Sequence, residues 1–359
     1  MQSDYLLIDP RPLDSFKDKT FSGFKKLDVI KTLFKSVETG KVEDACYWMC
    51  ECISSGYCLD ILEKCMSYSS KVIHINSPHL PQFLFRRYQT LLNSMNHIPK
   101  KERSKLIHLR NTQSVRNNLI DVIVTLTMAP KSKRYDNLPK INIKEDFQFI
   151  KIKERMNATM QVLPTHTMRF TDPDELRIIM NEILFNLKNS NGGYEKVCYW
   201  IGWLIQWEKR NKLMKQSYEI EERPIQDVQP KYCKDMIWLV WELILEESLL
   251  RDQSTKDQIQ SLFKIFREGY TCGKRSQRLP YIYHSVGYLT YPVKWSVPIR
   301  PRQDIFIHTQ CNVNLWFKQK KSQEVQTYTE PPKPRKPLKG ALKEIAESRM
   351  KDLNDIYNQ

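Results

Sequence analysis

Apolar residues recur along this chain at steps of three and four, the period of helices that bury one face. Leu27, Ile30, Leu33, Phe34 and Val37 make the first such face, and Gly40 stands where that helix would stop. A second helix carries Val42, Ala45, Cys46, Met49 and Ile53 on one stripe and ends at Ser54-Ser55-Gly56. A third is expected over 59–74. The turn Asn76-Ser77-Pro78 opens a fourth, running through Phe83, Phe85, Tyr88, Leu91 and Leu92, and an apolar helix over 115–128 closes the first half. The pattern breaks at 129–155, where the alternation of Ile141 and Ile143, then Phe147 and Phe149, suits either a hairpin or a charged linker. It restarts at Thr171-Asp172-Pro173-Asp174-Glu175, whose acceptors suit a helix cap with an acidic first turn. Leu176, Ile179, Ile183, Leu184 and Leu187 mark that helix, and Gly192-Gly193 end it. Further helices are expected over 194–212, 232–250 and 256–267. Residues 291–317, rich in proline and β-branched side chains, read as short strands or an extended wrapping segment.

The expected fold class is therefore mainly α: two helical bundle or short solenoid units with a few short strands and a Pro-rich basic C-terminal tail ending in a helix. In chain order this reads as an extended arm (1–20), a first helical domain (21–128) and a basic linker or hairpin insertion (129–170). A second helical domain with an extended aromatic segment follows (171–317), then a basic Pro-rich linker (318–340) and an amphipathic helix (341–359). An internal echo joins the two halves. Glu43-Asp44-Ala45-Cys46-Tyr47-Trp48 and Glu195-Lys196-Val197-Cys198-Tyr199-Trp200 share a Glu-x-small-Cys-Tyr-Trp pattern, with Gly40 and Gly192 at the same distance before it. That spacing reads as a duplicated helix, turn and helix unit.

Charge adds a direction. Lys and Arg number 57 against 41 Asp and Glu, an excess of 16 positive charges that suits a polyanionic partner. The cations gather in two clusters: Arg86, Arg87, Lys100, Lys101, Arg103 and Lys105, then Lys274, Arg275 and Arg278 beside Tyr270, Tyr281 and Tyr283. Cations position phosphates and aromatics stack on bases, so both clusters are candidate sites for nucleic acid or another anionic partner. Lys333, Arg335, Lys336 and Lys339 in the Pro-rich tail are candidate partner contacts.

The chemistry of an enzyme is harder to find. There is no phosphate loop, and Gly192-Gly193 lacks the lysine and hydroxyl that a nucleotide needs. Neither Cys-x-x-Cys nor His-Glu-x-x-His occurs among the 9 cysteines and 7 histidines. Cys46, Cys50, Cys52, Cys58 and Cys65 crowd two helices, where reduced thiols packed as small apolar groups are the better account, over a zinc site with His74. His74 and His79 flank the Asn76-Ser77-Pro78 turn and, like His284 between Tyr283 and Ser285, read as histidines that satisfy backbone groups. Glu242, Glu246 and Glu247 read as a solvated stripe, and Trp200, Trp203 and Trp207 as a core stripe. No catalytic residue, metal ligand or cofactor is assigned. No apolar run is long enough to span a membrane, and neither a signal peptide nor a disulfide framework is expected.

Several segments resemble an uncharacterised protein family of nucleocytoplasmic large DNA viruses, the giant viruses. They are Thr20-Phe21-Ser22-Gly23-Phe24-Lys25-Lys26, Ala45-Cys46-Tyr47-Trp48, Lys71-Val72-Ile73-His74-Ile75-Asn76-Ser77-Pro78-His79-Leu80-Pro81, and Arg278-Leu279-Pro280-Tyr281-Ile282-Tyr283-His284-Ser285-Val286-Gly287-Tyr288-Leu289-Thr290. The chain departs from the family's pattern at Met49-Cys50-Glu51. The resemblance implies a viral protein of the host cytoplasm, at the virus factory or in the virion, and carries over no catalytic residue. A second likeness, of fold only, is to the helical collar domains of clamp loaders. Together these lead to an expectation: a non-catalytic scaffold holding nucleic acid or other viral proteins in replication, transcription or packaging. The alternatives are a minor capsid-type protein in contact with capsid proteins beneath the shell, or an enzyme whose motif escapes recognition.

Overall fold

The helical period is realised as twelve α-helices among the described residues of a computed structural model. The described residues are 4–330, apart from 97, 99, 133–137, 139, 190 and 191. The terminal helix expected at 341–359 and the tail cations Lys333, Arg335, Lys336 and Lys339 lie outside them.

Helices α1 (Lys26–Glu38) and α2 (Val42–Ser54) form an antiparallel pair. They turn on Gly40, whose φ of +72° is left-handed backbone that a side chain disfavours. Helices α7 (Glu175–Lys188) and α8 (Gly193–Leu213) repeat the arrangement on Gly192, at φ +73°. The sequence echo thus has a geometric counterpart. Tyr47 and Trp48 meet edge-on at 5.2 Å, and Tyr199 and Trp200 at 5.1 Å. A cation covers each tyrosine: Lys320 at 3.7 Å from the Tyr47 ring and Arg155 at 4.3 Å from Tyr199.

The first bundle is organised by α5 (Gln113–Met128). Leu119, Ile120, Val122, Ile123, Val124 and Leu126 are all buried, so beyond its exposed first residues this helix is enclosed, and α1, α2, α3 (Cys58–Tyr68) and α4 (Leu80–Met95) pack around it. Each such side chain contributes roughly 1.5–3 kcal/mol of apolar burial. In the second half α11 (Arg275–Thr290) holds the same position among α7, α8, α9 (Ile237–Ser248) and α10 (Gln253–Arg267). α4 packs on α10 and α3 on α11, and buried residues of both halves form one contiguous core.

Several details differ from the sequence reading. The buried line of α1 is Val29, Leu33 and Val37, a strict i+4 series, while Leu27 is 70% exposed. No hairpin forms around 141–149 among the described residues; a short helix α6 (Phe149–Arg155) stands at its end. The sole β pairing described is a single bridge between Lys19 and Lys25. Residues 291–302 form no regular element and turn at Trp295-Ser296, whereas Gln303–Lys321 is a helix, α12, which packs on α2 and α5 of the first half. Its buried Val313 and Phe317 supply the apolar contact, and Lys320 forms a buried ion pair with Glu51 on α2 at 2.6 Å. Contacts also separate a small second unit, to which residues 9–11 and 325–330 belong; within it Asp9 accepts from Arg11 Nε at 2.8 Å and from the Val325 amide at 3.1 Å.

Candidate anion-binding groove

Helix α4 begins after the Ser77-Pro78 turn, and its register places Leu84, Tyr88 and Leu91 in the core. The same register turns Phe83, Arg86, Arg87 and Thr90 to the opposite side, along a recess of about 670 Å³. The segment before α12 contributes Ile299 and Arg300 to the lining and the start of α12 contributes Gln303, with His79 and Gln82 completing it. Three guanidiniums line the recess, and among the described residues no carboxylate does.

Two of the three are held from beneath. Asp121 of α5, nearly sealed from solvent, accepts from Arg300 at 2.6 and 2.7 Å and pairs with Arg87. The Arg87 guanidinium lies 5.0 Å from the Phe83 ring centre, and that of Arg300 lies 5.6 Å from Phe83 and 4.1 Å from Phe306. Burial pushes the Asp121 carboxyl upward in pKa, against the pull of the two arginines. One carboxylate against two guanidiniums leaves an excess positive charge, and exposed Arg86 adds another. Planar guanidiniums held this way present donor edges in the fork geometry that matches phosphate oxygens.

The remaining candidates distribute differently. Lys105 is exposed and pairs with Glu102 at 2.5 Å; it follows Lys100, Lys101 and Arg103 in a 3-10 stretch, Lys100–Asn111. Lys274 and Arg278 line a second cleft, of about 430 Å³, but share it with Asp60, Glu63 and Glu268, so its walls carry both signs. Arg278 also donates to the Phe266 carbonyl. Arg275 is a correction: it points into the core and pairs with Asp235 at 2.6 Å and with Glu208, so it belongs to an internal network with Tyr270 and not to a surface cluster. The residue that sequence reasoning missed is Arg300, which meets Asp121 from 179 positions away. Its neighbours Lys294 and Trp295 carry the interleaving of cation and aromatic sought elsewhere, but proline on both sides made the stretch read as structure.

Other candidates resolve into packing. Trp200, Trp203 and Trp207 are buried, as their spacing implied. Glu242 and Glu247 are not a solvated stripe: Glu242 accepts from buried Arg223 at 3.1 Å and Glu247 from Arg251 at 2.9 Å. Asp172 is not a cap either, since it accepts from Arg223 at 2.6 Å and from the Arg169 and Glu221 amides at 2.8 Å. Cys46, Cys50, Cys52, Cys58 and Cys65 are buried and unbridged, and burial raises each thiol pKa, to about 12 for Cys50 and Cys58. Thiols so placed are poor nucleophiles.

The histidines part company. His79 Nε2 lies 2.9 Å from the Trp295 carbonyl at the end of the groove. His284 is sealed, with Nδ1 3.1 Å from Ser70 Oγ and its ring stacked on Tyr288, so no substrate reaches that pair. Burial, with His74 beside it, pushes the His284 pKa well down. Among the described residues no group of three His, Cys, Asp or Glu side chains converges as metal ligands, and no helix is long and apolar enough to cross a membrane. No family model, curated protein or solved structure matches the chain.

Proposed function

We propose that this protein is a non-catalytic helical scaffold that binds nucleic acid through the groove formed by Arg86, Arg87 and Arg300. One observation carries the reading: three guanidiniums converge on a recess that no carboxylate lines among the described residues, two of them fixed by buried Asp121. Phosphate is the anion whose oxygens suit several arginine forks at once, and a net charge of +16 favours the approach of a long polyanion. The viral setting belongs to the same proposal. It rests on the resemblance of the segments at 20–26, 45–48, 71–81 and 278–290 to a giant-virus family, which supports a role in replication, transcription or packaging of a large DNA virus. The test is fluorescence anisotropy with labelled oligonucleotides over a salt series. The logarithm of affinity should fall linearly with the logarithm of salt concentration, and Arg86→Glu should weaken binding ~10-fold and lower the slope by about 1. Binding that ignores salt, or an Arg86→Glu protein that binds as the parent does, overturns the reading.

A further inference from the structure

A second recess adjoins the groove at His79. His79, which lines the groove, touches Trp295 at 5.4 Å between ring centres, and Trp295 in turn lines the second recess, of about 440 Å³, with Tyr288 and Tyr291. The indole is held before any ligand arrives. It stacks on Tyr288 with centres 5.9 Å apart and planes 11° apart, and the Tyr288 hydroxyl is tied to the Pro78 carbonyl at 2.7 Å. Tyr291 stands 39% exposed against Tyr194 at 5.0 Å, and exposed Lys294 lies between the two aromatics in sequence. The second recess is not a phosphate site. Its arginine, Arg251, is paired with Glu247, and its carboxylate, Asp252, caps α10 by accepting from the Thr255 amide at 2.9 Å.

A cationic recess and an aromatic recess with little free charge therefore meet where His79 touches the buttressed indole. We infer that the ligand is single-stranded nucleic acid: backbone phosphates sit on Arg86, Arg87 and Arg300, and a following base stacks on Trp295. This rests on the reading of the groove given above and adds the strandedness of the ligand. Two points favour one strand over a duplex. Each recess has the volume of a small-ligand pocket, a scale that suits a single splayed nucleotide. The aromatic faces are useful only to bases that are unpaired and splayed out, and stacking of that kind tolerates any sequence.

The experiment measures the full chain against a labelled 20-nucleotide single strand and the same strand paired in a blunt duplex, at one salt concentration. The single strand should bind at least ~10-fold more tightly. Trp295→Ala should erase about 10-fold of single-strand affinity, as expected for one lost base stack, and leave duplex affinity unchanged; Trp295→Phe, which keeps a stacking face, should restore most of the loss. Duplex bound as tightly as single strand by the parent protein overturns the inference, as does Trp295→Ala lowering both affinities equally. If Arg86→Glu still weakens both ligands in that case, the groove reading stands and only strandedness has failed. Failure of the parent protein to bind either ligand removes both.

Discussion

Lys320→Met tests how the last helix is held to the first bundle. Lys320 and Glu51 are 2% and 0% exposed at their side chains and lie 2.6 Å apart. Glu51 also accepts from the Ser22 amide and hydroxyl, both at 2.7 Å, so one carboxylate joins α2, α12 and the turn that precedes α1. At an effective dielectric of about 20, unit charges ~3 Å apart attract by roughly 5 kcal/mol. Desolvation of the pair offsets much of that, but removing one partner leaves the other charge buried, at a cost of about 3–5 kcal/mol. Burial pushes the Glu51 pKa upward, yet Lys320 and the hydrogen bonds outweigh it, so its carboxyl ends below the usual range. A carboxylate whose folded pKa is depressed contributes stability that is present above its unfolded value near 4.3 and lost as pH falls through the folded one. The expected outcome is a drop of about 3–5 kcal/mol for Lys320→Met in urea denaturation at pH 7, with part of it recovered in the double variant Glu51→Gln, Lys320→Met. A single variant within about 0.5 kcal/mol of the parent refutes the reasoning, because a charge left alone in a dry interior cannot be neutral in its effect.

Three further outcomes follow from the same physics. His284 is held neutral by burial, so the unfolded chain takes up its proton first; stability should fall below about pH 6.5 by up to ~1.4 kcal/mol per pH unit, and His284→Phe should flatten that limb of a stability-versus-pH curve. Gly192→Ala adds a methyl group into open space at φ +73°, so a loss of about 1–2 kcal/mol measured by thermal unfolding would be backbone strain alone. In native protein a thiol reagent should label Cys272 and Cys311, which are exposed, and reach the seven buried cysteines only after denaturation; Cys272 should react the more slowly, since burial and the neighbouring Asp235 raise its pKa to about 11.

What the sequence determined by itself was the run of helices α1–α5 and α7–α10, with the stops at Gly40 and Gly192; α6, α11 and α12 were not legible in it. Apolar spacing, Gly40 and Gly192 are local signals, and local geometry is what a 3.6-residue period reports. The echo around Cys46 and Cys198 was legible for the same reason, because the turn and the first turns of the following helix are built from consecutive residues. Arg86 and Arg87 could be named as candidates, since charge is written in the residue type. Which cations face a ligand was decided only by tertiary structure. Arg275 has the same composition around it as Arg278, yet its position on α11 aims it at Asp235 and Glu208, where burial demands a counter-charge. Arg300 carried no signal of its own, because only the folded chain brings it to Asp121 on α5. A groove made by residues so far apart in the chain exists only once the helices have packed, because the carboxylate that orients its arginines belongs to the core.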